Sequence, residues 1–190
     1  MLFDFILFPI FIYCIYAIGV SGLQFLGHNK NTAYPDYFCL ILGLFTIGFI
    51  SVIINFYSGA ASPITYLIIA VLISIGTFYI IKTDIKPLKI IILFGLVLVP
   101  LAANMKEGFD IDYHLPHQQW IREEQIVFGL ANLHDRFGFS SMMEYINAPL
   151  WIGKHLKLLA YGEATFVLSL LLFIKNLIRF FVLCKSYNCC

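Results

Sequence analysis

Long apolar runs alternate with short polar stretches along the chain, which is the pattern of a helical membrane protein. Residues 1–20 are apolar apart from Asp4, and they lack the basic stretch that precedes the apolar core of a cleavable signal peptide. Residues 37–81 contain no Asp, Glu, Lys or Arg, and a single helix of that length would be about twice as long as a bilayer core is thick. Small residues and a proline at 58–63 predict a break, because proline cannot continue a helix. The first three predicted spans are therefore 1–20, 37–57 and 64–81.

Two further apolar runs follow, at 88–104 and within 158–183. The chain therefore divides into four transmembrane helices (1–104), an external polar segment (105–157), and a fifth transmembrane helix with a short cytoplasmic tail (158–190). The predicted fold class is all-α: an integral membrane helical bundle of about five transmembrane helices with an external subdomain of short amphipathic helices.

Basic residues predict which side each loop faces, because cytoplasmic loops of membrane proteins are enriched in Lys and Arg. The stretch 82–89 holds three Lys and one Asp, and the C-terminal region holds Lys175, Arg179 and Lys185. Both are therefore predicted to be cytoplasmic. The polar segment between them carries more acidic than basic residues and is predicted to lie outside.

Composition agrees with the membrane assignment and excludes some classes of function. The chain is 61% hydrophobic and only 12% charged, whereas soluble domains carry roughly 25% charged residues. Its net charge of +1 argues against a nucleic-acid partner, since phosphate binding needs a basic surplus. The five cysteines follow neither a disulfide framework nor the spacing of a zinc site.

One helix is predicted near the start of the polar segment. Pro116 has no backbone N–H and is tolerated only in a first turn, so a helix through Trp120 should begin close to Asp112, which can cap it. Tyr113, Pro116, Trp120 and Val127 would then form an apolar stripe along the membrane surface.

A polar row is predicted on another face of this helix. His114, Gln118 and Arg122 recur every four residues and present an imidazole, an amide and a guanidinium. Such a row suits an anionic headgroup, for example a lipid phosphate.

A second short helix is predicted later in the polar segment. Ser141-Met142-Met143-Glu144 matches a capping box, so a helix should start there and run toward Trp151. Both tryptophans are expected in the aromatic belt at the membrane interface.

The polar groups of the segment have structural as well as functional interpretations. Asp110 and Asp112 fit a solvated loop and a helix cap as well as a reaction centre. His114 and His117 lie three residues apart, which fits either a divalent metal site with an aspartate or an interfacial pair. The triplet 134–136 fits a local ion pair or a functional group. Function is favoured because most of the Asp, Glu and His residues of an apolar chain lie in this one segment.

The polar segment resembles a known family. The stretches 108–114 (GFDIDYH), 120–121 (WI), 129–134 (GLANLH) and 136–141 (RFGFSS) are similar to the first large external loop of bacterial polytopic membrane proteins related to the GT-C glycosyltransferases. The resemblance covers about residues 105–151, and the flanking spans share only their hydrophobicity with the family.

The resemblance implies a reaction and a location. GT-C enzymes transfer a sugar from a polyprenyl phosphate carrier at the outer face of the membrane, and an aspartate of this loop acts at the catalytic centre. The implied catalytic residue is Asp112, or Asp110 if the motif is aligned two positions earlier. A carboxylate there can take the proton of the acceptor hydroxyl. The implied location is the bacterial cytoplasmic membrane, with membrane lipid and a lipid-linked sugar donor as partners.

Further expectations follow from the same resemblance. Cations must receive the charge of the leaving phosphate. The candidate substrate-binding residues are His114, Gln118, Arg122, Asn132, His134 and Arg136. No cofactor is fixed by the motif, although the carboxylates allow a divalent metal. Family members are usually longer and have more spans, so we expect an N-terminal portion of such a protein, a truncated reading frame, or a remnant with no activity of its own.

Two other functions are consistent with the residues. The first is a non-catalytic assembly or scaffold subunit, whose additional transmembrane helices come from a partner chain and in which pairs such as Asp135 and Arg136 are structural. Asp110, Asp112, His114 and His117 would also fit the metal gate of a transporter. That hypothesis is the weakest, because spans two to four carry no charge in their middle, where an ion pathway needs one.

Overall fold

The computed structural model describes residues 2–27, 35–83, 88–104, 114–127, 141–151 and 158–186. Every regular element in these ranges is a helix, so the predicted all-α fold class is confirmed. The helices are α1 (Leu2–Phe25), α2 (Asp36–Asn55), α3 (Pro63–Lys82), α4 (Leu88–Asn104), α5 (His114–Glu123), α6 (Met142–Leu150) and α7 (Leu159–Ser186).

Four of the described helices are long and apolar enough to cross a membrane. They are α1 over Leu7–Phe25, α2, α3, and α7 over Leu159–Phe181. Helix α4 has 17 residues, and about 25 Å is slightly shorter than a bilayer core. A membrane helical bundle is thus established by length and composition, and the predicted fourth span, residues 88–104, stays a prediction.

The break predicted between the second and third spans is present. Helix α2 ends at Asn55, and after a short turn Pro63 occupies the first position of α3. This is the position that proline tolerates best, because the first helical N–H has no partner within the helix.

Helix α1 forms the centre of the bundle because glycines let its neighbours approach closely. Gly43 of α2 packs on the backbone carbonyl of Ile15, and Gly76 of α3 packs on that of Ala17, with no room for a Cβ at either glycine. In a membrane the association of helices is driven by van der Waals packing and not by the hydrophobic effect, and small residues allow the close approach that this packing needs.

Aromatic rings join α4 and α7 to this centre. Phe11 lies 4.9 Å from Tyr161 and 6.2 Å from Phe94, measured between ring centroids. Near the start of α2, Tyr37 meets Phe173 of α7 at 5.4 Å. Helices α2 and α7 therefore pack side by side along much of their length.

Candidate functional site

The part of the polar segment that the structure describes folds against one end of the bundle. We use the name cap for two stretches together: α5 with the following residues 124–127, and α6 with Trp151. Asn55, the last residue of α2 and only 1% exposed, is the main anchor of the cap. Its amide donates to the backbone oxygens of Ile121 at 3.0 Å and Glu124 at 2.7 Å, which lie at the C-terminal end of α5. The orphan carbonyls at this helix end are thereby paired.

The turn between α2 and α3 completes the anchor with backbone hydrogen bonds. The amides of Ala60 and Ala61 donate to the carbonyls of Ile121 (2.9 Å) and Arg122 (3.0 Å). Gly59 lies so close to the Arg122 carbonyl that no side chain fits there. The amide of Ile126 in turn donates to the Asn55 carbonyl at 2.8 Å. The small residues that predict the break between α2 and α3 therefore also bind the cap through their backbone amides.

Helix α6 begins as predicted, with a capping box. The Ser141 hydroxyl accepts from the Glu144 amide at 3.2 Å, and the Glu144 carboxylate accepts from the Ser141 amide at 2.7 Å. The helix then runs to Trp151, and the Tyr66 hydroxyl of α3 donates to the Pro149 carbonyl at 3.1 Å. Both helices of the cap are thus tied to the α2–α3 end of the bundle.

Polar side chains of α5 meet α6 inside the cap. His117 Nδ1 lies 3.3 Å from Glu144 Oε1, and these side chains are 5% and 14% exposed. The amide of Gln118 lies 3.5 Å from the Glu144 carbonyl, and Gln118 is buried. The guanidinium of Arg122 sits 5.3 Å from the centre of the Trp151 ring, within the range of a cation–π contact.

The predicted site residues are only partly within the described structure. Gln118 and Arg122 lie in the cap as described above, and His114 is the first residue of α5. The remaining candidates lie outside the described residues: Asp110, Asp112, Asn132, His134 and Arg136. Their roles therefore stay predictions, as does the divalent metal; among the described residues no three His, Cys, Asp or Glu side chains come together as metal ligands.

Two details of the predicted helix faces are corrected. Helix α5 ends at Glu123, so Val127 does not continue the apolar stripe of Pro116 and Trp120. At this end of α5 the carbonyls of Ile121 and Arg122 accept from Asn55 and from the amides of the α2–α3 turn. Trp151 is buried at 8% exposure against Arg122 rather than placed in an interfacial belt, whereas Trp120 is 43% exposed.

An apolar groove of about 290 Å³ lies between α2, α6 and α7. Its lining residues are all apolar: Ile41, Leu44, Phe45, Met142, Met143, Ile146 and Phe166. At 1.5 Å per residue, Ile41 lies about 21 Å along α2 from Asn55, so the groove reaches well into the apolar part of the bundle. The groove has one local signal in the sequence, the adjacent methionines Met142 and Met143, whose side chains fill irregular apolar surfaces.

Together these features define the class: a helical membrane protein whose polar segment contributes a folded cap beside an apolar groove. The chain belongs to the family described as a domain of unknown function, DUF8201, whose model matches residues 1–184. No curated protein matches the chain, and no solved structure matches it.

Proposed function

We propose that this protein is a glycosyltransferase-like enzyme of the bacterial cytoplasmic membrane, which transfers a sugar from a polyprenyl phosphate carrier at the outer face. The observation that carries the proposal is that α6 of the cap, together with α2 and α7, forms an apolar groove. An isoprenoid chain in the groove would hold its phosphate and sugar near the polar segment.

The groove suits the tail of such a donor. Its lining is wholly apolar, and it reaches into the part of the bundle that a membrane would surround. Two of its residues, Met142 and Met143, have flexible side chains that adapt to a branched chain. Burial of apolar ligand surface there is favourable without any directional contact.

The cap suits the head of the donor. Its anchoring through Asn55 and the α2–α3 turn ties the end of α5 and residues 124–126 to the bundle. In the proposed reaction the acceptor hydroxyl attacks the anomeric carbon, the bond from that carbon to the phosphate oxygen breaks, and Asp112 takes the hydroxyl proton. We assign Arg122 to stabilise the negative charge of the leaving phosphate. His114, His134 and Arg136 are further candidates for the same role.

Transfer from a labelled polyprenyl-phosphate sugar to membrane acceptors tests the proposal. Asp112→Asn should abolish transfer and leave membrane insertion intact, because the amide cannot take the proton. Glu124→Gln is the matched control, since this exposed acid of the cap loses the same charge and should keep transfer. Undiminished transfer by Asp112→Asn, or equal losses in both variants, would remove the assignment of Asp112.

A second pair of variants tests the groove. Ile41→Trp fills the groove and should raise the KM for the lipid donor, because it competes with the isoprenoid tail. Ile53→Trp adds the same bulk on an exposed part of α2 that does not line the groove, and it should leave KM unchanged. An unchanged KM in Ile41→Trp would place the tail elsewhere.

A non-catalytic assembly subunit is the second candidate, and one observation favours it. From Leu170 to Phe181, every side chain of α7 is exposed except the half-buried Leu172. In a membrane this surface is covered either by lipid or by helices of a partner chain, and the assembly hypothesis expects the second. Under this hypothesis Asp112→Asn retains full function, whereas a bulky substitution such as Leu171→Trp disrupts an assembly that native mass spectrometry detects.

A further inference from the structure

Helix α7 extends past the end of α2 that lies away from the cap. Phe166 lines the groove together with Phe45, and Phe173 contacts Tyr37, so α7 runs antiparallel to α2 and away from the cap. Tyr37 is the second residue of α2, whereas α7 continues from Phe173 for thirteen more residues, about 20 Å at 1.5 Å per residue. The last turns of α7 therefore lie past the start of α2, at the end of the bundle that the basic residues predict to be cytoplasmic.

One face of α7 packs on the bundle and then continues past this level. Its residues recur at every third or fourth position and are buried or half-buried against the other helices: Tyr161, Thr165, Leu168 and Leu172. Lys175 and Arg179 continue the same spacing, so they lie on the same face of the helix. Both are exposed. The face of α7 that is turned toward the bundle thus ends in two exposed cations.

These two cations have no acidic partner within the part of the chain that the structure describes. Neither Lys175 nor Arg179 forms an ion pair there. Like charges four residues apart on a helix are neighbours and repel each other. An anion between them relieves this repulsion. A phosphate suits the position, because the guanidinium offers a fork of donors to two oxygens and the ammonium adds a point charge.

The apolar residues around the cations select a lipid. Ile174, Leu177 and Ile178 are 42%, 42% and 57% exposed, so acyl chains can lie against them. Residues 170–181 contain no Gly, Ala, Ser or Thr, although such small residues are what closely packed membrane helices use at their contacts. The part of α7 that packs on the bundle does carry them, for example Gly162 and Ala164. The exposed half of α7 therefore suits lipid better than a partner helix.

We infer that Lys175 and Arg179 bind the phosphate of an anionic phospholipid whose acyl chains lie along the exposed apolar residues of α7. Basic positions beside transmembrane helices on the cytoplasmic side are where anionic headgroups bind. The site is separate from the α2–α6–α7 groove, because Phe166 precedes Lys175 by about 14 Å along α7. Lipid binding here does not depend on sugar transfer at the cap.

Native mass spectrometry of the purified full chain tests the inference, with phosphatidylglycerol and phosphatidylcholine of identical acyl chains as the titrated lipids. The unchanged protein should bind phosphatidylglycerol more tightly. Lys175→Gln with Arg179→Gln should weaken phosphatidylglycerol binding about thirtyfold, since each cation near an anionic headgroup contributes about fivefold. Its phosphatidylcholine binding should stay unchanged, which also shows that the variant is folded. Lys82→Gln with Lys89→Gln is the matched control, since it removes two exposed cations of α3 and α4 and should bind both lipids normally.

A second variant keeps the charge and the composition constant. Lys175→Leu with Leu177→Lys moves the cation to the opposite face of α7, because residues two apart on a helix do not face each other. This exchange should weaken phosphatidylglycerol binding about fivefold, whereas a general attraction between charges predicts no change.

Four results would each overturn the inference: equal affinities of the unchanged protein for the two lipids, no loss in the double glutamine variant, an equal loss in the control, or full binding by the exchange variant. A dimer of the unchanged protein that retains neither lipid would also overturn it, and would assign the exposed face of α7 to a second copy of the chain.

Discussion

Replacement of Asn55 by leucine is the sharpest test of how the cap is held. Leucine has a similar size but removes the donor to the Glu124 carbonyl at 2.7 Å and the acceptor for the Tyr145 hydroxyl at 3.4 Å. The Ile121 carbonyl also loses its bond from Asn55 but keeps the Ala60 amide as a donor, so the loss of that bond costs less free energy. Two hydrogen bonds at about 1 kcal/mol each, plus about 1 kcal/mol for the desolvated Glu124 carbonyl, give about 3 kcal/mol. The undocked state of the cap should therefore become about 150-fold more populated.

Hydrogen exchange of the protein in nanodiscs measures this population. The amides of Ala60, Ala61 and Ile126 bond across the interface between the cap and the bundle, so their exchange reports cap opening. Asn55→Leu should accelerate their exchange by about two orders of magnitude. Asn176→Leu, the same change at an exposed site, should leave it unaltered. Unchanged protection in Asn55→Leu would refute the anchoring role of Asn55.

Two further predictions concern the helices themselves. Ser141→Ala removes the N-cap hydroxyl of α6 and should lower the stability of the protein to thermal unfolding by about 1 kcal/mol. Ser74→Ala, at an exposed site of α3, is the control and should have little effect. Equal effects of the two substitutions would contradict the capping role of Ser141. Gly76→Ala would press a methyl group into the Ala17 carbonyl and should lower the yield of folded protein, whereas Gly95→Ala meets only a ring of Phe8 at 3.3 Å and should be tolerated. Normal folding of Gly76→Ala would show that α1 and α3 are not as closely packed as described.

Features encoded locally were predictable from the sequence. The α2–α3 break follows from Pro63 and its small neighbours, and the start of α6 follows from the spacing of Ser141 and Glu144. Both signals act within a few residues, so tertiary structure is not needed to interpret them.

Features that depend on distant partners were not predictable. Asn55 donates hydrogen bonds to the carbonyls of Ile121 and Glu124, which follow it in the sequence by 66 and 69 residues. No feature of the sequence around Asn55 indicates these partners. The end of α5 at Glu123 lies at the same contacts. Trp151 was expected at the interface because its amphipathic ring suits that position, but the Arg122 guanidinium covers its ring inside the cap. The groove was likewise not predictable, because its lining comes from α2, α6 and α7, and no pattern in the sequence indicates that these helices pack together.

The sidedness of the cap is the most direct test of the proposed function, which requires the cap at the outer face. Single cysteines at Glu124 and at Thr83 mark the cap and the opposite end of α3, in a background with all five native cysteines replaced by alanine. A membrane-impermeant maleimide applied to intact spheroplasts should label the cysteine at 124, and should label the one at 83 only after permeabilisation. Labelling of 83 but not 124 in intact spheroplasts would place the cap in the cytoplasm and contradict transfer at the outer face.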